Sequence, residues 1–162
     1  ILYAANVSEV QLRSFDEQTA ALTLGLPPHS RVIGISAKLE EELQDLPPDE
    51  GKALLLELGV TSAGLDQLVG AAYTLLGYIS FFTAGPKEVR AWTVIRGTNA
   101  PQAAGVIHTD FEKGFIRAET IAYDDFVRFS GEQGAREAGK FRMEGKDYVV
   151  QDGDVMHFRF NV

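Results

Sequence analysis

Tyr78-Ile79-Ser80-Phe81-Phe82-Thr83-Ala84-Gly85-Pro86-Lys87-Glu88-Val89-Arg90-Ala91-Trp92-Thr93-Val94-Ile95 is the stretch on which the reading of this chain turns. Tyr78–Thr83 and Val89–Ile95 are rich in β-branched and aromatic residues and alternate with a period of two, and Ala84-Gly85-Pro86-Lys87 between them favours a turn. The spacing predicts a β-hairpin. Farther along, Phe115–Ile121 reads as a strand. Tyr148–Gln151 and Val155–Phe160 are expected as strands on either side of a turn at Asp152-Gly153-Asp154, with Met156, Phe158 and Phe160 facing one side. Helical pieces near Pro101–Ile107 and Asp124–Phe129 interrupt the strands.

A small mixed sheet with one or two helices is the pattern of a β-grasp module. Upstream of Tyr78 the period is different. Ile1–Ala5 reads as a buried strand, followed by the polar loop Asn6-Val7-Ser8-Glu9. Leu12, Phe15, Thr19 and Leu22 recur at helical spacing until Gly25 and Pro27-Pro28. Arg31–Ile35 reads as a second strand ending in Ser36-Ala37-Lys38, and Leu39, Leu43 and Leu46 mark a second helix. Strand, helix, strand, helix implies a parallel α/β arrangement, with ligands expected at the loops after the strand C-termini. Pro47-Pro48 breaks the chain. Leu54, Leu55 and Leu58, then Leu65, Leu68, Val69, Ala72 and Leu76, mark connecting helices closed by Gly59 and Gly77.

The hydrophobic fraction of 45% in 162 residues is that of a folded protein. The chain starts at Ile1 inside an apolar run, without an initiator Met, and is expected to be a fragment. No apolar run approaches the roughly 20 residues of a membrane span, and Ile1–Ala5 has no basic residues ahead of it as a signal peptide would. A soluble, cytoplasmic protein without a membrane partner is expected. Cysteine is absent, which excludes disulfides, thiolate metal sites and a Cys nucleophile and fits a reducing compartment. Residues 1–77 hold 4 Lys/Arg against 11 Asp/Glu, leaving 11 against 12 in residues 78–162, of 15 and 23 in the whole chain. The net charge of −8 argues against strong non-specific nucleic-acid binding, whose affinity comes from phosphate neutralisation. DNA is not expected as a partner. Lys140, Arg142 and Lys146, with Arg136, could still form a local basic edge.

The two polar loops carry the chemistry. An Asn-containing loop after one strand and a Ser-containing loop after the next is how GTPase-type proteins enclose a nucleotide base. In the usual guanine reader, Asn-Lys-x-Asp, the Asp accepts hydrogen bonds from the guanine ring N–H and exocyclic amine. Here Glu9 stands for that Asp and Val7 for the Lys. Adenine offers a ring acceptor and an amine donor, so the substitution points to ATP over GTP, with Asn6 contributing its amide and the Val7 backbone a donor and an acceptor. Ser36 and Ala37 would close the other side. Asn6 also suits a plain cap or turn role. Glu40-Glu41-Glu42 reads as a solvated helix face rather than a metal site, His29, His108 and His157 are scattered, and Asp152-Gly153-Asp154 lacks the remaining ligands of a Ca²⁺ loop. No G-x-x-x-x-G-K-[ST] occurs, so this chain alone is not expected to hydrolyse a nucleotide.

Phe81-Phe82-Thr83-Ala84-Gly85, Glu88-Val89-Arg90-Ala91-Trp92-Thr93, Pro101-Gln102-Ala103-Ala104-Gly105, His108 to Ile116, Asp152-Gly153-Asp154 and Phe158-Arg159-Phe160-Asn161 together closely resemble the YchF family, the Obg-like ATPases. Asn6 to Glu9 and Ser36-Ala37 are similar to that family's base-binding loops. The resemblance implies an α/β remnant of a P-loop NTPase domain over residues 1–56. Connecting helices over 57–77 and an α+β, β-grasp (ubiquitin-like) TGS domain over 78–161 would follow. It further implies ATP (or GTP) hydrolysis with Mg²⁺ held outside this chain, no catalytic residue within it, base contacts from Asn6, Val7, Glu9, Ser36 and Ala37, and the ribosome (large subunit) or RNA as partner. Trp92 and the Phe residues of the module are expected in its core. Alternatively, the module is a non-catalytic binding or structural unit.

Overall fold

The computed structural model describes residues 1–85 and 88–161, and the chain divides into two compact units, Ile1–Leu75 and Leu76–Val162.

In the first unit β1 (Leu2–Asn6) pairs in parallel with β2 (Arg31–Ile35), Asn6 lying opposite Ile35. One helix was expected between them, but two form: α1 (Glu9–Leu12) and α2 (Glu17–Thr23). The break is local and chemical. Asp16 leaves helical geometry to accept the backbone N–H of Thr19 at 2.8 Å, starting a new helix. Hydrogen bonds from Thr19, first from its side chain and then from its backbone N–H, hold the Asp16 carboxyl below its ordinary range. The freed Phe15 ring lies over Gly34, where a Cβ would come within 2.7 Å of the ring. A glycine at 34 is therefore required by the close approach of the Phe15 ring and not by a turn.

The remaining helices of this unit are α3 (Ala37–Asp45), α4 (Pro48–Glu57) and α5 (Gly64–Leu76). Pro48 opens α4, where its missing N–H and fixed φ cost nothing, and Gly59 and Gly77 follow α4 and α5 with φ of +70° and +68°. Val32, Ile33 and Leu39 are buried. Glu40 is not simply part of a solvated face. Its carboxylate accepts the N–H groups of Gly64 at 2.7 Å and Leu65 at 3.3 Å, capping α5.

The second unit is a five-stranded mixed sheet. β3 (Tyr78–Ala84) and β4 (Val89–Ile95) form the expected antiparallel hairpin. The turn expected at Ala84-Gly85-Pro86-Lys87 includes Pro86 and Lys87, which lie outside the described residues; Gly85 N–H donates to the Glu88 carbonyl at 2.9 Å. Next come α6 (Ala100–Ile107), α7 (Thr109–Lys113), β5 (Phe115–Ala122), α8 (Tyr123–Arg128), α9 (Glu132–Glu137), β6 (Arg142–Glu144) and β7 (Asp154–Phe160). The strand order is β4-β3-β7-β5-β6, with β7 parallel to β3 and antiparallel to β5.

Tyr148–Gln151 does not form the strand expected of it. Both edges of β7 are occupied by β3 and β5, so this segment bonds instead to the entry of α6: Val150 N–H to Thr98 O at 3.0 Å, and Ala100 N–H to Tyr148 O at 2.8 Å. Asp152-Gly153-Asp154 remains a tight turn, closed by Asp154 N–H to Gln151 O at 3.2 Å.

One face of this sheet is closed by α6. Ala100, Ala103 and Ala104 are fully buried, and their small side chains let the helix approach a core of Ile79, Phe81, Val94, Phe115, Ala118, Val150, Met156 and Phe158. Phe81 and Phe158 meet edge to face at 5.9 Å. Trp92 packs against this core and donates its indole N–H to Thr83 Oγ1 at 2.9 Å.

Candidate functional site

Because β1 and β2 are parallel and in register at Asn6 and Ile35, the loops leaving both strands emerge on the same side. Each loop is pinned by its own side chains. Asn6 Oδ1 accepts the N–H of Ala37 at 3.1 Å, and Val7 N–H donates to Ile35 O at 2.8 Å, one step past the ladder. Ser8 caps α1 in a reciprocal box with Gln11: the Gln11 N–H reaches Ser8 Oγ at 3.3 Å and the Ser8 N–H reaches Gln11 Oε1 at 3.0 Å. Ser36 is 2% exposed and caps α3 by accepting Leu39 N–H at 3.4 Å.

Between the loops lies an open hollow of about 520 Å³, lined by Asn6, Val7, Ser8, Glu9, Val10, Ser36 and Lys38. Four of the five residues expected at a base site line it, and the fifth, Ala37, is tied to it through Asn6. Two details differ from the expectation. The Val7 N–H already donates to Ile35 O, so Val7 has no backbone donor left for a ligand, and its contribution reduces to its carbonyl. Asn6 has spent its side-chain oxygen on Ala37, which turns its NH₂ group toward donor duty.

Lys38 is the residue that sequence reasoning left out. Its ammonium lies 2.9 Å from Glu9 Oε1 and 3.3 Å from Glu42 Oε1. The hydrogen bonds to Glu9 and then Glu42 hold the Lys38 pKa above its ordinary value. The signal was present only in part. Lys38 and Glu42 are an i, i+4 pair readable from spacing, whereas Lys38 and Glu9 are 29 positions apart and meet only because the strands are parallel.

Elsewhere the basic edge is largely committed. Arg136 pairs with Glu132 at 2.9 Å and stacks on Phe141 at 3.6 Å, and Lys140 reaches Asp125 at 3.9 Å. Arg142 pairs with Asp154 at 3.1 Å and Glu144 at 3.5 Å. Among the described residues no group of three or more His, Cys, Asp or Glu is placed to hold a metal ion, and no helix is long and apolar enough to cross a membrane.

A family model, YchF-GTPase_C, described as a protein of unknown function (DUF933), matches residues 78–161. The chain belongs to the YchF family. A Bacillus subtilis YchF relative, the ribosome-binding ATPase YchF, is 53% identical over 165 residues, covering 100% of this chain and 45% of its own length. The Obg-like ATPase 1 of Gallus gallus is 50% identical over 134 residues, covering 83% of this chain and 34% of its own. Among solved YchF structures, the Schizosaccharomyces pombe YchF GTPase superposes with a TM-score of 0.84 at 36% identity, over 98% of this chain and 43% of that one. The chain thus spans less than half the length of the YchF relatives it matches. The hollow between Asn6 and Lys38 lies outside the residues covered by the family model, inside those covered by the Bacillus relative and the fission yeast structure.

Proposed function

We propose that this chain supplies the base-reading loops and C-terminal module of a ribosome-associated nucleoside triphosphatase that takes ATP in preference to GTP. The observation that carries the reading is the convergence of Asn6, Val7, Glu9 and Ser36 on one hollow at the carboxyl ends of two parallel strands, the place where α/β folds bind ligands. A purine fits the groups available there. The Asn6 NH₂ and the Val7 carbonyl provide one donor and one acceptor, which match the ring acceptor and amine donor of adenine. The names of the Bacillus and chicken relatives, ribosome-binding ATPase and Obg-like ATPase, are consistent with it.

ATP would supply the phosphoanhydride to be cleaved. This chain's own residues orient and select the base, while the phosphate-binding groups and the Mg²⁺ ligands are assigned to the part of the relatives' length that it does not span. Residues 1–56 are read as part of the nucleotide domain, 57–77 as connecting helices, and 78–161 as a TGS domain of β-grasp type that docks the large ribosomal subunit or RNA in the cytoplasm. The mixed five-stranded sheet closed by α6 on one face supports the β-grasp assignment.

Equilibrium titration tests the nucleotide half of this reading. The full YchF-type protein carrying this segment should bind ATP more tightly than GTP, and the segment alone should bind ATP more weakly than millimolar. Tight binding by the segment alone would contradict the division of labour. Ribosome co-sedimentation of the full protein lacking residues 78–162 tests the other half, and unchanged sedimentation would remove the docking role.

A further inference from the structure

We infer that Lys38 sets the base preference of the hollow by sequestering the Glu9 carboxylate, so that guanine is penalised and adenine admitted. The inference rests on the reading of the hollow as a base site and adds a specificity-determining residue to it.

Guanine presents two adjacent donors, its ring N–H and exocyclic amine, and a carboxylate reads them best with both oxygens at once. In this structure Glu9 Oε1 is 2.9 Å from the Lys38 ammonium. A guanine entering the hollow must compete with that ammonium for Glu9. Adenine presents a lone pair at the equivalent ring position, which a bare carboxylate repels. The ammonium offsets the negative charge of Glu9 and relieves the repulsion. One ion pair therefore acts in opposite directions on the two purines.

The geometry holds Lys38 in place from both sides. Glu42 Oε1 lies 3.3 Å away, one helical turn farther along α3, while Glu9 stands in the first turn of α1 and is only 31% exposed. Lys38 itself is 72% exposed, so replacing it leaves the packed part of the unit untouched. Exposed ion pairs are individually weak, so a bound base can displace the ammonium at modest cost. The effect expected is a graded preference and not absolute exclusion.

The test uses the full YchF-type protein carrying this segment, titrated at equilibrium with fluorescent ATP and GTP analogues at fixed Mg²⁺. Lys38→Met keeps the aliphatic stem and removes the charge. It should move the ratio of Kd for GTP to Kd for ATP toward GTP by about three- to tenfold. Adding Glu9→Gln to that variant should abolish the gain, because no carboxylate remains to be released. A ratio within twofold of wild type in Lys38→Met, or a gain that survives Glu9→Gln, would overturn the inference while leaving the base site standing. A wild-type protein that binds neither nucleotide overturns the base-site reading and this inference with it.

Discussion

The side-chain oxygen of Asn6 accepts the backbone N–H of Ala37 at 3.1 Å, joining residues 31 positions apart and locking the loop after β1 to the first turn of α3. The bond consumes a donor at the N-terminus of α3 that would otherwise face solvent and orients the remaining amide group of Asn6.

Asn6→Ala is accordingly expected to act twice. It removes the tie, lowering stability by about 1 kcal/mol, and it removes the donor proposed for the base, which should weaken ATP binding by the full protein about tenfold. Asn6→Asp keeps the acceptor for Ala37 but replaces the NH₂ donor with a carboxylate. It should retain most of the stability and still lose the affinity. Thermal melts and nucleotide titrations on the two variants separate the roles, and equal affinity in Asn6→Asp and wild type would remove Asn6 from the base site.

The hollow was legible in outline because its two loops follow strands whose apolar runs are short and bounded by polar residues. What escaped was set by contacts distant in sequence. The end of α1 before Asp16 follows from a cap readable in the sequence, but Phe15 turns out of the helical face because Gly34 on the neighbouring strand leaves room for its ring. Tyr148–Gln151 has strand composition, yet β7 has no free edge to offer it. Lys38 lies in the first turn of α3, and nothing local announces that Glu9 lies beside it. The small elements α7, α9 and β6 span five, six and three residues, too short for a period to declare itself.

Glu119 and Arg159 form a two-pronged contact across β5 and β7, with Nε to Oε1 and Nη2 to Oε2 both at 3.0 Å. The hydrogen bonds from Arg159 hold the Glu119 carboxyl below the ordinary carboxylate range, with smaller contributions from His157 and Arg117. A carboxyl depressed in the folded state stabilises the fold above its unfolded pKa, and that contribution is lost as pH falls through the folded value. Glu119→Gln should therefore cost about 1 kcal/mol near pH 7, a small value because Arg159 is half exposed and screened by solvent. The gap between variant and wild type should close as pH is lowered below about 4. A gap independent of pH in denaturant titrations would contradict this account.

Asp154 is 2% exposed and accepts three hydrogen bonds: Tyr148 Oη at 2.7 Å, Arg142 at 3.1 Å and Gln151 N–H at 2.9 Å. Burial, then the bond to Asp154, pushes the Tyr148 phenol up to about 12. The neutral phenol is thus favoured by folding, a contribution present below the unfolded pKa of about 10 and lost as pH rises toward 12. Tyr148→Phe should lower stability by about 1 kcal/mol. Asp154→Ala, which strands three donors, should cost about 3 kcal/mol. Tyrosinate absorbance lost from the alkaline limb in Tyr148→Phe would identify the residue.

Gly114 follows α7, and a Cβ there would collide with the Asn161 carbonyl oxygen. Its own N–H and C=O are engaged as well, the carbonyl accepting Asn161 N–H at 2.8 Å. Gly114→Ala should destabilise the C-terminal unit by about 2–3 kcal/mol, read as a lowered Tm. No change in Tm would show that the end of the chain is not held against this turn.

The central claim, that the hollow between the β1 and β2 loops holds a purine base, is tested most directly by photolabelling the full YchF-type protein with ATP carrying an azide on its adenine ring and mapping the modified peptides. Label on peptides containing residues 6–10 or 36–38, competed away by unlabelled ATP, is the result expected; competable label confined to residues 78–161, with none at either loop, would contradict it.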